Sequence, residues 1–182
     1  LNTIDYYKDV DGFHIKNMGQ LALNNRTPLF IPCTALSCMK IFDSINLELK
    51  GKNIVIIGKS NIVGIPLMHL LLKKSATVAV CHIDTINLKQ YTINADIIIS
   101  ACGQPEMIKE EYIREGSIII DVGINYIDDS SKKSGKKLVG DVEFNNVLNK
   151  VSFITPVPGG VGPITIAMLV SNIFKAFLFH NK

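Results

Sequence analysis

Four short runs of almost wholly apolar residues recur through the middle of the chain. They are Asn53–Ile57, Thr77–Cys81, Asp96–Ser100 and Ser117–Val122. Strands that are apolar at every position are buried on both faces, as in a parallel sheet between two layers of helices, whereas half-exposed antiparallel strands alternate. The pattern therefore predicts an α/β fold built on a parallel sheet that helices flank.

Helical patterns occupy most of the segments between and beyond these runs. The predicted helices are Thr34–Ile45, Ile62–Lys74, Asn87–Asn94, Glu110–Glu115, Val142–Lys150 and Ile164–Phe179. The last of them is apolar around most of its circumference, with Ser171, Asn172 and Lys175 as the main polar positions, so it needs partners on more than one side. Because it contains a lysine and is shorter than about 18 uninterrupted apolar residues, we expect it to be buried against protein and not to cross a membrane.

The first apolar run leads into a turn of the size that binds a phosphate group. This turn, GKSNIVG, extends from Gly58 to Gly64 and precedes a predicted helix. The first glycine allows a tight turn, the last allows the helix to approach the strand, and the helix N-terminus offers backbone N–H groups to an anion. Ser60 replaces the second glycine of the common dinucleotide motif, and the last glycine comes one residue late, so by itself the motif fits an ordinary tight turn equally well.

Each predicted strand is followed by a loop of small or polar residues. The four loops are Gly58–Ser60, His82–Asp84, Ala101–Gly103 and Gly123–Asn125. Ligands of open parallel sheets bind beyond the carboxyl ends of the strands, so this arrangement favours a dinucleotide site of the Rossmann type.

The loop after the second strand gives mixed indications about the cofactor. Asp84 is an acid where NAD-binding folds hold the ribose 2′-hydroxyl, but Lys59 in the phosphate turn could reach the 2′-phosphate of NADP. His82 is as typical of a half-buried strand-end histidine as of a ligand contact.

A second concentration of glycine and proline lies near the C-terminus, in the segment TPVPGGVGPIT at Thr155–Thr165. The prolines stiffen this loop, the glycines let the backbone approach a ligand, and Pro163 is suited to the first turn of a helix. Near the N-terminus, Asp9 and Asp11 of the segment KDVDGFH suit either a turn or helix cap or an acceptor for an amide or amino-pterin group.

Composition narrows the possible classes of protein. With 182 residues, 47% of them hydrophobic and 19% charged, the chain accommodates one well-buried domain with at most an appended segment. A net charge of +3 is too small to indicate nucleic-acid binding, and the cluster Lys132, Lys133, Lys136 and Lys137 is predicted to be a solvated loop.

The cysteines indicate neither a metal site nor a disulfide framework. The chain has four, Cys33, Cys38, Cys81 and Cys102, without a CxxC pair or a histidine at zinc spacing. A reducing compartment is therefore expected, the cytoplasm first and the mitochondrial matrix or another organelle as alternatives.

Six motifs in order resemble the bifunctional methylenetetrahydrofolate dehydrogenase/methenyltetrahydrofolate cyclohydrolase family, from about Asp9 to the C-terminus. They are KDVDGFH (8–14), FIPCT (30–34), GKSNIVGIP (58–66), DVGIN (121–125), GDV (140–142) and TPVPGGVGPIT (155–165). The resemblance implies the NADP-binding domain of a multifunctional enzyme of one-carbon metabolism. That enzyme oxidises 5,10-methylenetetrahydrofolate to 5,10-methenyltetrahydrofolate and hydrolyses the product to 10-formyltetrahydrofolate.

The resemblance also implies a division of the chain. Residues 9–162 would form the Rossmann-type domain, and residues 163–182 would form a helix that returns to pack on an N-terminal catalytic domain. The family's catalytic Tyr-x-x-x-Lys motif lies upstream of KDVDG, and Tyr6, Tyr7 and Lys8 have a different spacing and position. We therefore expect the catalytic domain and every catalytic residue to be absent from this chain, which alone would be inactive. A homodimer through the Rossmann-type domain is also expected.

The site residues that the resemblance implies fall into two groups. For the folate they are Asp11, Pro158, Gly159, Gly160, Gly162 and Thr165, and for the cofactor they are Gly58, Lys59, Ser60, His82, Ile83 and Ile124. Two of them depart from the family pattern, since Lys59 replaces the usual arginine and Ile83 replaces serine or arginine. NADP is the expected cofactor, with NAD possible.

Two other functions compete with this interpretation. A module that keeps the fold without catalysis would bind a nucleotide or a protein partner only. Another two-domain NAD(P)-dependent dehydrogenase, of the amino-acid or shikimate type, would share the topology but would not explain KDVDG together with PVPGGVGP.

Overall fold

The computed structural model describes residues 3–181, which are organised around a five-stranded parallel sheet. Its strands are β1 (Asn53–Ile57), β2 (Thr77–Cys81), β3 (Ile97–Ser100), β4 (Ile118–Asp121) and β7 (Phe153–Ile154), in the order β2-β1-β3-β4-β7. The four predicted strands are confirmed to within one residue at each end. The order in which strands are added to the sheet reverses between β1 and β3, and ligands of such sheets bind at that point.

Within residues 3–181, six α-helices accompany the sheet. They are α1 (Ile15–Ala22), α2 (Cys33–Ser44), α3 (Gly64–Lys73), α4 (Leu88–Thr92), α5 (Phe144–Val147) and α6 (Val161–His180). The helix expected over 110–115 is wrong, because only Glu110–Tyr112 form one 3-10 turn. The backbone is extended at Ile113 and has a φ of 75° at Gly116, so the turn cannot continue as a helix.

A two-stranded hairpin follows β4 and occupies the lysine-rich segment. Its strands β5 (Asn125–Asp128) and β6 (Lys136–Val139) pair antiparallel. The expected loop is therefore wrong for Lys136 and Lys137, which belong to β6. Asp128 lies opposite Lys136, and such opposite charges across a ladder stabilise exposed polar strands that have no apolar pattern.

Alternate residues of the strands pack into two apolar clusters on opposite faces of the sheet. Ile97 and Ile99 face α2 and α3, whereas Ile98 faces the side of α5, and each is at most 1% exposed. Burial of successive residues on both faces explains the uninterrupted isoleucine runs. The predicted Rossmann-type α/β fold is confirmed.

The last helix, α6, packs along α2 but leaves much of its apolar surface uncovered. It begins at Val161, three residues before the predicted start at Ile164, and only Val161 and Asn172 are buried. Phe174 and Phe177 are each 60% exposed. By length and composition α6 could cross a membrane, although one such helix is weak evidence, and 11% of its most apolar window is buried. The prediction that this helix needs further partners stays a prediction.

Candidate functional site

Two glycines allow the turn between β1 and α3 to pack tightly against the sheet. Gly58 has a φ of 124°, and a Cβ there would overlap the carbonyl oxygen of Ala101 at the end of β3. A Cβ at Gly64 would overlap the carbonyl oxygen of Gly58. A side chain at Gly58 would push the turn away from the end of β3, and one at Gly64 would push α3 away from the turn. Both glycines are therefore needed for a compact anion-binding turn.

Ser60 fixes the shape of this turn from within. Its hydroxyl oxygen accepts a hydrogen bond from the Val63 amide (3.1 Å), and its carbonyl oxygen accepts one from Ile65 (3.0 Å). Among the described residues, the amides of Lys59 and Ser60 have no hydrogen-bond partner. These N–H groups, together with the N-terminus of α3, are available to a phosphate.

The loop after β2 approaches the same turn. Lys59 Nζ lies 3.8 Å from a carboxylate oxygen of Asp84. His82 Nδ1 lies 3.3 Å from the same oxygen and accepts a hydrogen bond from the Asp84 amide. Ile83, between these two polar residues, is 92% exposed, so its side chain projects into solvent beside the turn.

Two buried aspartates join the ends of β3 and β4. Asp141, which is fully buried, accepts hydrogen bonds from the amides of Cys102 (2.8 Å) and Gln104 (3.1 Å) and from Asn125 Nδ2 (2.8 Å). Asp121 in turn accepts one from the Asp141 amide (3.0 Å). The two carboxylates therefore hold the loops at the ends of both strands in one arrangement.

The aspartates of the motifs DVG (121–123) and GDV (140–142) each occupy space that the glycine of the other motif leaves free. A Cβ at Gly123 would overlap the Asp141 carboxylate, and a Cβ at Gly140 would overlap that of Asp121. Burial raises the pKa of Asp121 to about 6, against hydrogen bonds from backbone amides that favour the charged form. The motifs DVG and GDV thus form one interlocked unit.

Cys102 belongs to this unit through its amide and its thiol, which both donate to Asp141. Burial, with the nearby Asp141 charge, raises the pKa of its thiol to about 11. A protonated thiol neither attacks carbon nor binds a metal. Among residues 3–181, no three His, Cys, Asp or Glu side chains are grouped to hold a metal ion.

A largely apolar cleft of about 650 Å³ lies between the end of β4 and the loop before α6. Five of the six residues predicted to bind folate line it, and so does one residue predicted to bind the cofactor: Pro158, Gly159, Gly160, Gly162, Thr165 and Ile124. Val63, the residue before α3, also lines the cleft. The phosphate turn and the cleft are therefore neighbours. One dinucleotide could place its pyrophosphate in the turn and its nicotinamide in the cleft.

The glycines of the cleft loop have different physical roles. A Cβ at Gly160 would lie 2.5 Å from the Pro156 carbonyl oxygen, so this glycine is needed for packing. Gly159 has a φ of 103°, in the left-handed region. A Cβ at Gly162 would have no atom within 4 Å, so this glycine leaves open space on the wall of the cleft.

The sixth predicted folate residue, Asp11, is exposed and does not line this cleft. Its neighbour Asp9 is buried and accepts hydrogen bonds from the His14 amide (2.8 Å) and Asn17 Nδ2 (2.8 Å). Asp9 thus holds the turn before α1, whose N-cap is His14, and the Asp11 carboxylate stays free for a ligand.

The structure places the phosphate turn beside the β2 loop and, through Val63, beside the cleft. The sequence motifs did not indicate roles for Asp121, Asp141 or Asn125. The available signal was the pairing of an aspartate with a glycine in both DVG and GDV. No pattern along the chain indicates that these two pairs interlock, because the contact depends on the β5–β6 hairpin, which pairs Asn125 with Val139 and returns the chain to the end of β4.

Comparisons with known proteins match this domain closely. The family model described as "Tetrahydrofolate dehydrogenase/cyclohydrolase, NAD(P)-binding domain" matches residues 32–181. The mitochondrial C-1-tetrahydrofolate synthase of Saccharomyces cerevisiae is 55% identical over 96% of this chain and 18% of its own length. The bifunctional protein FolD of Chlorobium phaeobacteroides is 50% identical over 96% of this chain and 60% of its own length.

A solved structure shows the same arrangement. The methylenetetrahydrofolate dehydrogenase-cyclohydrolase of Trypanosoma brucei, complexed with NADP and an inhibitor, superposes with a TM-score of 0.94 at 38% identity. The alignment covers 100% of this chain and 62% of that one. The chain therefore spans less than two thirds of the length of each of these three proteins.

Proposed function

The chain belongs to the tetrahydrofolate dehydrogenase/cyclohydrolase family, as its NAD(P)-binding domain, and on this premise we propose that it holds NADP against a reduced folate. The family assignment confirms the resemblance in the sequence motifs. It excludes the alternative that the chain belongs to another family of NAD(P)-dependent dehydrogenases. The proposed reaction of the complete enzyme is oxidation of 5,10-methylenetetrahydrofolate to the methenyl form, followed by hydrolysis to 10-formyltetrahydrofolate.

The observation that carries the proposal is the adjacency of the phosphate turn and the apolar cleft, with Val63 contributing to both. The pyrophosphate would bind the free amides of Lys59 and Ser60, and the nicotinamide would then enter the cleft. Ile124, which is 66% exposed, would contact its ring. When bound, NADP supplies the hydride acceptor, so no side chain of this domain needs to act as an acid or base.

The chain's own residues would orient the two reactants and exclude water. Asp141 keeps the loops after β3 and β4 in place, because it holds the Cys102 amide and the Asn125 side chain together. The open wall at Gly162 would admit the folate, whose pterin would bind Asp11. Holding the reacting atoms in contact distance is itself a large part of catalysis.

Partners beyond the ligands are also proposed. The exposed face of α6, which includes Phe174 and Phe177, would pack on the catalytic domain of the complete protein. Burial of such a face is expected, since large exposed apolar patches mark interaction sites. We retain the proposals of a homodimer through the Rossmann-type domain and of a cytoplasmic location. Relatives include a mitochondrial protein, so the mitochondrial matrix remains an alternative.

Calorimetric titration of the 182-residue chain with NADP and with NAD tests the binding function. Saturable binding of at least one dinucleotide, with no binding of adenosine under the same conditions, is the expected result. If neither dinucleotide binds at millimolar concentration, the chain is an interaction module without a cofactor.

An absorbance assay for NADPH tests the division of labour. The chain mixed with NADP and 5,10-methylenetetrahydrofolate should form no NADPH, because no Tyr-x-x-x-Lys motif is present in the 182 residues. A clear NADPH signal would contradict the assignment of catalysis to another domain.

A further inference from the structure

The loop after β2 places an acid directly against the cation of the phosphate turn. Asp84 Oδ2 lies 3.8 Å from Lys59 Nζ, and Asp84 follows Gly64 by 20 residues. In dinucleotide-binding folds an acid at about this distance along the chain accepts a hydrogen bond from the ribose 2′-hydroxyl of NAD, whereas a cation accommodates the 2′-phosphate of NADP. Here both groups occur together, at the place where the two cofactors differ.

Hydrogen bonds within the loop fix the position of this acid. The Thr85 hydroxyl accepts one from the His82 amide (2.8 Å), and the Thr85 amide donates one to the His82 carbonyl oxygen (2.8 Å). The Asp84 amide donates a third, to His82 Nδ1 (3.3 Å). Asp84 is therefore carried on a closed turn whose backbone places its side chain within reach of Lys59.

The pair is exposed, so it can open when a ligand arrives. The Lys59 side chain is 56% exposed and that of Asp84 is 73% exposed, and ion pairs in water are weak. Opening the pair does not remove the Asp84 charge, which would repel a 2′-phosphate that carries close to two negative charges. Ile83, the residue before Asp84 in the loop, has no side-chain donor that could offset this repulsion.

We propose that Asp84 determines how the domain discriminates between the two cofactors. Its charge offsets the attraction of Lys59 for the 2′-phosphate of NADP, and its carboxylate accepts hydrogen bonds from the ribose hydroxyls of NAD. The domain therefore binds both dinucleotides. This inference rests on the proposed cofactor-binding function. It concerns the relative affinity of NADP and NAD, which share every group except the 2′-phosphate.

The test compares dissociation constants of NADP and NAD, measured by calorimetry, for the unsubstituted chain and for Asp84→Asn. The substitution should tighten NADP binding about tenfold, equivalent to about 1.4 kcal/mol, and should weaken NAD binding, because the ribose hydroxyls lose their carboxylate acceptor. The unsubstituted chain should bind the two with affinities within about tenfold of each other. Lys59→Met should weaken the binding of NADP and leave the binding of NAD unchanged.

Asp43→Asn is the matched control. Asp43 is 60% exposed and lies 3.5 Å from Lys40 on α2, so its loss changes the net charge equally, away from the phosphate turn. The inference is overturned, and the proposed function is not, if the ratio of NADP to NAD affinity is unchanged in Asp84→Asn. An equal change of this ratio in Asp43→Asn has the same meaning. Failure of the unsubstituted chain to bind either dinucleotide overturns the proposed function and this inference with it.

Discussion

The carboxylate of Asp121 accepts a hydrogen bond from the backbone amide of Asp141 at 3.0 Å, which links the end of β4 to the segment that follows β6. The Asp141 carboxylate then reaches across to the Cys102 amide at the end of β3. Two strand-end loops of the proposed cofactor site thus depend on a pair of buried acids that do not need to touch the cofactor.

Replacing Asp141 by asparagine should destabilise the fold and weaken dinucleotide binding. Its carboxylate accepts hydrogen bonds from three consecutive amides, and an asparagine side chain would turn an NH₂ group toward some of these donors. Losing charged hydrogen bonds in a buried site costs roughly 2–4 kcal/mol. Chemical denaturation measures the loss, with the exposed Asp43→Asn as a variant that should change stability little. Equal stability of Asp141→Asn and the unsubstituted chain would contradict the role given to Asp141.

The raised pKa of Asp121 predicts a definite pH dependence. Burial lifts this pKa from 3.8 to about 6, so the folded state retains a proton that the unfolded state has lost. The stabilisation from this group is complete below about pH 4, and it is lost as the pH rises through 6. Two pK units correspond to roughly 3 kcal/mol.

Carbon-13 NMR of the side-chain carboxyl groups gives the Asp121 titration directly. One buried aspartate should titrate near pH 6, whereas Asp96 should titrate below the ordinary range. The Asn53 amide and the Arg114 side chain donate hydrogen bonds to Asp96 and lower its pKa. An Asp121 midpoint near 4 would show that the backbone amides outweigh the burial.

Two neighbouring glycines of the cleft loop should respond oppositely to alanine. Gly160→Ala places a methyl group 2.5 Å from the Pro156 carbonyl oxygen and should cost roughly 1–3 kcal/mol of stability. Gly162→Ala meets no atom within 4 Å and lies in the first turn of α6, where alanine is favoured over glycine by up to about 1 kcal/mol. Thermal melting should therefore fall for the first variant only. If Gly162→Ala melts as early as Gly160→Ala, the wall of the cleft is not open as described.

Much of the fold could be predicted because its central strands are buried on both faces and are therefore apolar at every position. The same reasoning could not find β7, which has two residues, or β5 and β6, whose exposed positions carry no apolar pattern. The site divides in the same way. Local signals such as the glycines of the phosphate turn are visible in the sequence, whereas the contact between Asp121 and Asp141 depends on the β5–β6 hairpin, which has no apolar pattern.

A buried amide on α6 holds the segment that carries Asp11. Asn172 Nδ2 donates hydrogen bonds to the carbonyl oxygens of Val10 (2.8 Å) and Ile31 (3.2 Å), and Asn172 is 5% exposed. Asn172→Ala would leave both acceptors without this donor, at a cost of about 1–3 kcal/mol. Because the bonds tie the N-terminal segment to α6, the loss should concentrate there and should leave the sheet intact.

Hydrogen exchange of the backbone amides can locate that loss. In Asn172→Ala, protection should fall for the amides of α1 and the segment before it, while the amides of β1 and β3 exchange as in the unsubstituted chain. Ser171→Ala changes the adjacent exposed position of the same helix and should alter neither set. A uniform fall across the sheet would mean that Asn172 supports the whole core. An unchanged N-terminal segment would mean that other contacts, such as the stacking of Tyr7 on Phe179, are sufficient to position Asp11.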